Sequence, residues 1–375
     1  MKFKIDGDLF KKATSDVKTG LGSKKSNAFY ETIYIEALQD KVVIRTQDEG
    51  VRLTAVCATE VAETGSFRCE GKLFIDIVGQ LNGDENVEVY TEEKGGAEFL
   101  HLKQRGVNVK IKSIEIDVSE TIEDIHGTDG YTVEGAELSN ALSRALTCVS
   151  KENNRPLLKG INIAKKGDKI FVASLDGFKV SKYAIPVAES NDETAFNVTI
   201  PTRAVPAVVS LCNSQKAVKL IARAKLLVFV TESGIVESSL LDGEFFNYAS
   251  TFPVTYNTQI KVPTKDIKQA LSLSLLTGAD AKNNRVELRT NDETSELVIS
   301  TGKDEAESDV TIPYETLMTD GDKAFYLNGL YLLDCLKADS EENIVISIVD
   351  SKKPVVFCDK DSENAFLLLP IRVTG

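Results

Sequence analysis

The pattern of apolar positions repeats three times along the chain. In the central copy, residues 134–163, leucines recur at every fourth position and therefore lie on one stripe of a helix. Two further copies lie 129 residues before and after it, and the nine matching positions are Leu138, Leu142 and Leu146, then Leu9, Ala13 and Val17, then Ile267, Leu271 and Leu275. Nine positions in register predict a tandem array of three similar modules.

Each module predicts the same order of elements. Segments with strand-like alternation follow the first helix, and a second helix is predicted at 71–81, 201–211 and 327–336, with further strands after each. We therefore expect an α+β fold in which each module carries two helices on an antiparallel sheet, built as a doubled βαβββ unit. The polar, turn-rich stretch 119–130 and the repeat period place the modules at 1–126, 127–253 and 254–375.

The composition indicates where in the cell the protein is expected. Apolar residues make up 42% of the chain, yet no run approaches the roughly 18 apolar residues of a membrane span. We expect a soluble, cytoplasmic protein without a membrane partner. The six cysteines form no CxxC pair, which favours reduced, buried thiols over a zinc site or a disulfide framework.

The chain offers no recognisable catalytic constellation. It has two histidines, His101 and His126, far apart in sequence, and it lacks GxSxG, HExxH and Walker-type motifs. Its 57 acidic residues indicate a solvated acidic surface rather than a selected carboxylate pair. We expect neither an enzyme nor a bound cofactor or metal.

Basic residues nevertheless gather on the six predicted helices and in the loops beside them. The net charge of the chain is -13, so most of its surface should repel DNA. Binding to a duplex must therefore rely on a local basic patch or on the shape of the protein. If all six helices faced one concave surface, they would collect the following candidate DNA-binding side chains: Lys11, Lys12, Lys18, Lys24, Lys25, Lys72, Arg144, Lys151, Arg203, Lys265, Lys268 and Lys337.

Four short motifs resemble those of a known family. RPLLKG (155–160) and ASLDGFKV (173–180) are similar to the RPxLxG and ATDGHRL signatures of the bacterial replicative sliding clamp, the beta subunit of DNA polymerase III. NGLYLLDCL (328–336) resembles its NxxYLxDxL helix, and LLPIRV (368–373) its closing MPMRL-type segment. Each motif alone is weak, but their order and spacing over the whole chain are specific.

The resemblance implies a head-to-tail homodimer, a ring of six modules with twelve helices around a pore. Helices packed at about 10 Å give a ring about 38 Å across at the helix axes, which leaves an opening of roughly 27 Å. Double-stranded DNA would pass with room for water, and the ring would stay on it by topology. The partners implied are DNA, the polymerase III alpha subunit, the clamp loader and other proteins that carry the clamp motif.

The resemblance also implies a groove for partner peptides between the second and third modules. The matching positions are Leu158, Leu175, Gly177, Phe178, Lys179, Val180, Phe246, Asn328, Tyr331, Pro354, Leu367, Leu368, Leu369, Pro370, Ile371 and Arg372. A trough of this composition suits a short extended peptide. We expect its floor to consist of Leu158, Leu175, Val180, Leu368 and Leu369.

Several positions depart from the family pattern. Phe178 and Lys179 replace His and Arg, and Asn283 stands where an aromatic residue is common. Ser250 and Thr251 replace a basic and apolar pair, and two residues, Thr374 and Gly375, follow the closing motif. Two other interpretations remain open: a modular adaptor that binds peptides without encircling DNA, and a β-rich hydrolase with an unrecognised carboxylate pair.

Overall fold

A computed structural model of the chain describes residues 1–22, 27–116, 128–152, 155–190, 194–213, 215–278, 284–303, 306–359 and 363–372. The chain divides into two compact units. The first comprises Met1–Ser139, Val187–Thr194 and Arg203–Leu240, and the second comprises Asn140–Pro186, Ala195–Thr202 and Leu241–Gly375. Each unit therefore combines a terminal part of the chain with part of its centre.

Helices and strands alternate in the predicted order. The α-helices among the described residues are α1 (Gly7–Asp16), α2 (Gly71–Gln80), α3 (Gly135–Thr147), α4 (Val205–Asn213), α5 (Thr264–Gly278) and α6 (Gly329–Lys337). The strands are β1 (Lys2–Ile5), β2 (Thr32–Ala37), β3 (Lys41–Asp48), β4 (Val51–Ala58), β5 (Val61–Glu63), β6 (Gly65–Glu70), β7 (Val87–Lys94), β8 (Ala97–Gln104), β9 (Val107–Lys112), β10 (Tyr131–Glu134), β11 (Gly160–Lys166), β12 (Lys169–Leu175), β13 (Lys179–Pro186), β14 (Glu189–Ser190), β15 (Phe196–Pro201), β16 (Ala217–Ala222), β17 (Leu226–Val230), β18 (Gly234–Ser239), β19 (Thr258–Pro263), β20 (Arg285–Asn291), β21 (Glu296–Lys303), β22 (Ala306–Pro313), β23 (Glu315–Met318), β24 (Ala324–Asn328), β25 (Asn343–Ile348), β26 (Val355–Cys358) and β27 (Ala365–Leu368).

The first unit contains two antiparallel sheets. One has five strands in the order β5-β1-β7-β8-β9, and the other has nine in the order β14-β10-β16-β17-β18-β4-β3-β2-β6. The strand before each helix pairs with a strand of the other βαβββ half. β1, before α1, pairs with β7, and β6, before α2, pairs with β2. This exchange ties the two βαβββ halves together, and it confirms the predicted doubled unit.

The second unit repeats the arrangement. Its nine-stranded sheet has the order β15-β11-β12-β13-β27-β26-β25-β19-β23, and its other sheet has four strands, β22-β21-β20-β24. A large core lies where α5 and α6 cover the sheets, and it includes Ile267, Leu271, Phe325 and Leu332. The predicted α+β class, with antiparallel sheets and two helices for each repeat, is confirmed.

The register of the first helix differs from the expected one. Asp6 caps α1 by accepting a hydrogen bond from the Leu9 amide at 3.0 Å, so α1 begins 128 residues before α3, not 129. Phe10 is fully buried as a result, whereas Leu9 is 37% exposed. One residue turns a helix by about 100°, which is enough to move a side chain from the core to solvent.

Two other helices begin later than the sequence predicts. Pro201 ends β15, and a short 3₁₀ turn (Thr202–Ala204) precedes α4. Asn328 ends β24 and caps α6, because its side-chain oxygen accepts a hydrogen bond from the Tyr331 amide at 3.0 Å. Most of the polar stretch 119–130 lies outside the described residues.

Candidate peptide groove and helix cations

The predicted groove begins at the tight turn between β12 and β13. The Asp176 carboxylate accepts hydrogen bonds from the amides of Phe178 and Lys179, at 2.8 and 2.9 Å. Gly177, which lies between Asp176 and Phe178, has a φ of 98°, a backbone conformation that residues with a Cβ rarely adopt. Phe178 is 62% exposed in this turn, at the end of the two strands.

The C-terminal segment forms the adjoining wall. β27 pairs antiparallel with β13, which places Lys179 opposite Leu368, and the Leu369 amide donates to the Phe178 carbonyl at 2.9 Å. Leu369 is 42% exposed beside that aromatic residue. Further along, the Ile371 amide donates to the Tyr326 carbonyl at 2.8 Å, so the segment continues towards α6.

Side-chain alternation along β27 corrects the expected floor. Val180 and Leu367 are directly opposite each other and belong to one apolar cluster on a face of the nine-stranded sheet. Leu368 points to the other face and is part of the helix-covered core. Successive side chains of a strand point to opposite faces, so Leu368, which was expected in the floor, does not share the face of Val180, whereas Leu367 does.

Aromatic side chains from the connection before β19 cover the same face. Tyr248, Phe252 and Tyr256 pack against the Val180 cluster, together with Leu175. The first three were not among the predicted site residues, although a run of aromatic residues in a polar connection could have indicated them. Phe246 stacks edge-on against its neighbour Phe245, at 5.9 Å between ring centroids.

The remaining predicted groove residues are spread over the same unit. Leu158 is buried, and Pro354 is half-buried just before β26. Arg372 is exposed at the end of the described segment, after the half-buried Pro370. Ser250 and Thr251 are exposed in a 3₁₀ turn, whereas Asn283, Thr374 and Gly375 lie outside the described residues.

Lys179 is buried behind the turn of the candidate groove. Its side chain is 6% exposed, and its ammonium group donates to the Thr147 carbonyl, lies 4.5 Å from the centre of the Tyr331 ring and lies 3.9 Å from the Asp176 carboxylate. These contacts join the end of α3 to the first turn of α6. The charge of Lys179 is therefore engaged by the protein and is not presented at the rim.

The predicted DNA-binding cations differ widely in exposure. Exposed side chains are Lys12, Lys18, Lys72, Lys151, Arg203, Lys265 and Lys337, whereas Lys11 and Lys268 are half-buried. Arg203 lies 3.4 Å from the Glu49 carboxylate, and Lys268 donates to the Asp339 carbonyl at 2.8 Å. Lys24 and Lys25 lie outside the described residues.

Arg144 has a structural role instead of the expected one. Its guanidinium is 7% exposed and forms an ion pair with the buried Asp339 carboxylate at 3.1 Å. It also donates to Ser340 and to the Ala338 carbonyl, each at 3.3 Å, and covers the Tyr183 ring. A side chain so fully engaged is not available to a phosphate. The sequence could not reveal this, because the partners lie almost 200 residues away.

The histidines provide no sign of a catalytic or metal site. His101 lies 3.1 Å from the Glu92 carboxylate and stacks on Tyr90, at 4.6 Å between ring centroids. His126 lies outside the described residues. Within the described part of the chain, no three His, Cys, Asp or Glu side chains are grouped to hold a metal ion. None of the described helices is long and apolar enough to cross a membrane.

The fold is that of the bacterial sliding clamps. Over 100% of both chains, it matches the DNA polymerase sliding clamp of Bacillus subtilis with a TM-score of 0.87 at 20% identity. The beta subunit of DNA polymerase of Streptococcus pyogenes matches equally completely, with a TM-score of 0.88 at 17% identity.

Family models make the assignment specific. The N-terminal, central and C-terminal domains of the DNA polymerase III beta subunit match residues 1–108, 132–247 and 249–372. The chain therefore belongs to the DNA polymerase III beta subunit family, whose members are non-catalytic processivity factors. Among its relatives, the "Beta sliding clamp" of Staphylococcus epidermidis is 22% identical over 388 residues and 99% of both chains. That of Mycoplasma capricolum subsp. capricolum is 21% identical over 95% of both chains.

We predict that Arg144→Met destabilises the protein without a direct effect on any exposed surface. The substitution leaves the Asp339 carboxylate buried without its cation, which should cost about 3 kcal/mol in the free energy of unfolding. Chemical denaturation followed by circular dichroism measures the change. Lys265→Met, at an exposed position of α5, should stay within about 0.5 kcal/mol of the parent.

A double substitution separates the ion pair from general packing. In a chain that already carries Asp339→Asn, Arg144→Met should lower the free energy of unfolding by clearly less than it does in the parent, because no unpaired carboxylate remains. An equal cost in both backgrounds would contradict the assigned role of the ion pair.

Proposed function

We propose that this chain is a DNA sliding clamp that encircles duplex DNA as a head-to-tail homodimer and tethers the replicative polymerase as a processivity factor. Its family and the name of its relatives, "Beta sliding clamp", support this proposal. The groove would dock the polymerase III alpha subunit, the clamp loader and other proteins with the clamp motif. The site of action would be the cytoplasm.

The proposed modules are residues 1–126, 127–253 and 254–375. With these boundaries, each nine-stranded sheet joins a four-stranded half of one module to a five-stranded half of the next. The junctions are β4 with β18, and β13 with β27. Two half-sheets are left over: the four strands β22-β21-β20-β24 at the end of the third module, and the five strands β5-β1-β7-β8-β9 of the first.

The proposal of a ring-shaped dimer depends on these two incomplete sheets. By position in its half-sheet, β22 is equivalent to the junction strands β4 and β13, and β9 is equivalent to β18 and β27. Both are terminal strands, and terminal strands present unpaired N–H and C=O groups. Pairing β22 of one copy with β9 of another would complete a further nine-stranded sheet, and two such junctions would close a ring of six modules.

The charges on the two terminal strands suit this pairing. In β9, Ile111 is buried while Lys110 and Lys112 are exposed on the opposite face. In β22, Ile312 is buried while Glu307 and Asp309 are exposed. Alternation therefore places two cations and two carboxylates on corresponding faces of the two half-sheets, where cross-strand opposite charges are favourable.

We predict a dimer of about 82 kDa, twice the 41.0 kDa of one chain, by light scattering at micromolar concentration. Lys112→Glu should weaken the dimer about tenfold, because it places like charges across the junction. Glu307→Lys in the same chain should restore most of the loss, and Lys94→Glu, on an exposed hairpin, serves as the control. A parent protein that stays at 41.0 kDa would contradict the ring and favour a non-encircling adaptor.

Retention on DNA tests the encirclement. Protein loaded on nicked circular DNA should resist a salt wash and leave once the DNA is linearised, because topology and not charge holds it. Replacing the exposed helix residues Lys12, Lys18, Lys72 and Lys265 by Glu should at least halve the loaded fraction.

A charge-matched variant controls for the change in net charge. It carries Glu at four exposed lysines outside the helices: Lys94, Lys166, Lys352 and Lys353. This variant should load like the parent. Equal loading of both variants would mean that the four helix lysines do not face the duplex.

Peptide affinity tests the groove. Phe178→Ala and Leu369→Ala should each weaken binding of a peptide of the family's QLxLF type about tenfold, because each removes exposed apolar surface that the peptide would bury. Calorimetry measures the affinity, and unfolding should change little. Leu317→Ala removes a similarly exposed leucine on β23 and should bind normally. If all three variants bound like the parent, the docking site would lie elsewhere.

A further inference from the structure

Two buried thiols face each other in the second unit. Cys148 directly follows α3 and Cys335 lies in α6, and their sulfur atoms are 3.7 Å apart although 187 residues separate them in sequence. Their exposed fractions are 0% and 3%. Both are free thiols, and they lie where the end of α3 meets α6.

Thr147 and Lys179 connect the thiol pair to the turn at the candidate groove. The Thr147 hydroxyl lies 3.6 Å from the Cys148 sulfur and 3.4 Å from the Cys335 sulfur. The carbonyl of the same threonine accepts the ammonium group of Lys179, which in turn lies over the half-buried ring of Tyr331.

The two thiols of the pair differ from each other in acidity, because the hydrogen bond with Cys148 and burial raise the pKa of Cys335 well above its ordinary value. Burial likewise raises the pKa of Cys57, Cys69 and Cys212 to about 12, and nearby carboxylates add to the effect at the first two. Burial also acts to raise the pKa of Cys148, but hydrogen bonds with Cys335 and Thr147 outweigh it and lower that pKa. Thiolate is the reactive form of cysteine, so Cys148 is the better nucleophile.

We propose that Cys148 and Cys335 are a site of reversible disulfide formation that responds to peroxide. The Cys148 thiolate attacks one oxygen of hydrogen peroxide and becomes a sulfenic acid, and the released hydroxide takes up a proton to form water. The Cys335 sulfur then attacks the sulfenic sulfur, its proton leaves with the hydroxyl group as a second water, and the S–S bond forms. The two thiols lose two electrons in total, and the peroxide gains them.

The geometry requires a small movement. A disulfide has an S–S length of about 2.05 Å, so the sulfur atoms must approach by about 1.7 Å. The bond would fix the end of α3 to α6, whose first turn carries Tyr331. The inference rests on the thiol pair alone and does not depend on the proposed function.

The test treats the full chain with hydrogen peroxide and maps its peptides by mass spectrometry. We expect a loss of about 2 Da, one linked peptide pair containing Cys148 and Cys335, and reversal by dithiothreitol. The apparent Tm should rise by roughly 5 °C, because the bond closes a long loop.

Single substitutions identify the residues responsible. Cys148→Ser and Cys335→Ser should each abolish the mass loss and the Tm shift, whereas Cys212→Ser, at another buried cysteine, should keep both. Should a serine variant fail to fold, the alanine variant replaces it, and the mapping of the parent protein stands without either. Free thiols after treatment, bonds between two chains, or a linked pair with other cysteines would each overturn the proposal.

Discussion

Antiparallel hydrogen bonding between half-sheets is the constraint on which the described structure depends. β18 continues into β4 in the first unit, and β13 continues into β27 in the second. A half-sheet ending at any of these strands would leave a row of backbone donors and acceptors without partners. The described chain satisfies the requirement at these two junctions, and the proposed dimer would satisfy it for the two remaining half-sheets.

The candidate groove follows from one of these junctions. Pairing of β27 with β13 brings the last residues of the chain beside the turn that exposes Phe178. The same short strand contributes Leu368 to the helix-covered core and Leu367 to the groove face. The helix-covered core and the candidate groove therefore share a strand, and a substitution there acts on whichever face its side chain occupies.

The distribution of charge fits retention by topology better than retention by attraction. The chain carries 57 acidic against 44 basic residues, and one of the basic residues on the helices, Arg144, is buried in an ion pair. The helix surface is thus less basic than a count from the sequence suggests. In the proposed ring, weak phosphate contacts would nevertheless be sufficient, and they would permit sliding, because each contact is exchanged easily.

Interactions between residues close in sequence determine most of the helices, strands and repeats of this protein. The repeat of three and the order of helices and strands follow from side-chain periodicity and turn chemistry, which act over a few residues, and the motif at 173–180 is visible in the sequence itself. The helix register of the first module was wrong by one residue, because an offset fitted to apolar spacing does not locate the cap that sets where a helix begins.

Only the tertiary structure decided which side chains meet across long stretches of chain. Arg144 with Asp339, Cys148 with Cys335, and Lys179 with Tyr331 each join the segment matched by the central family domain to that matched by the C-terminal one. Nothing local to either partner indicates the other. The assignment of Leu367 rather than Leu368 to the groove likewise depends on the register between β13 and β27. Such register is set by pairing between distant strands, and a shift of one residue would exchange the two faces.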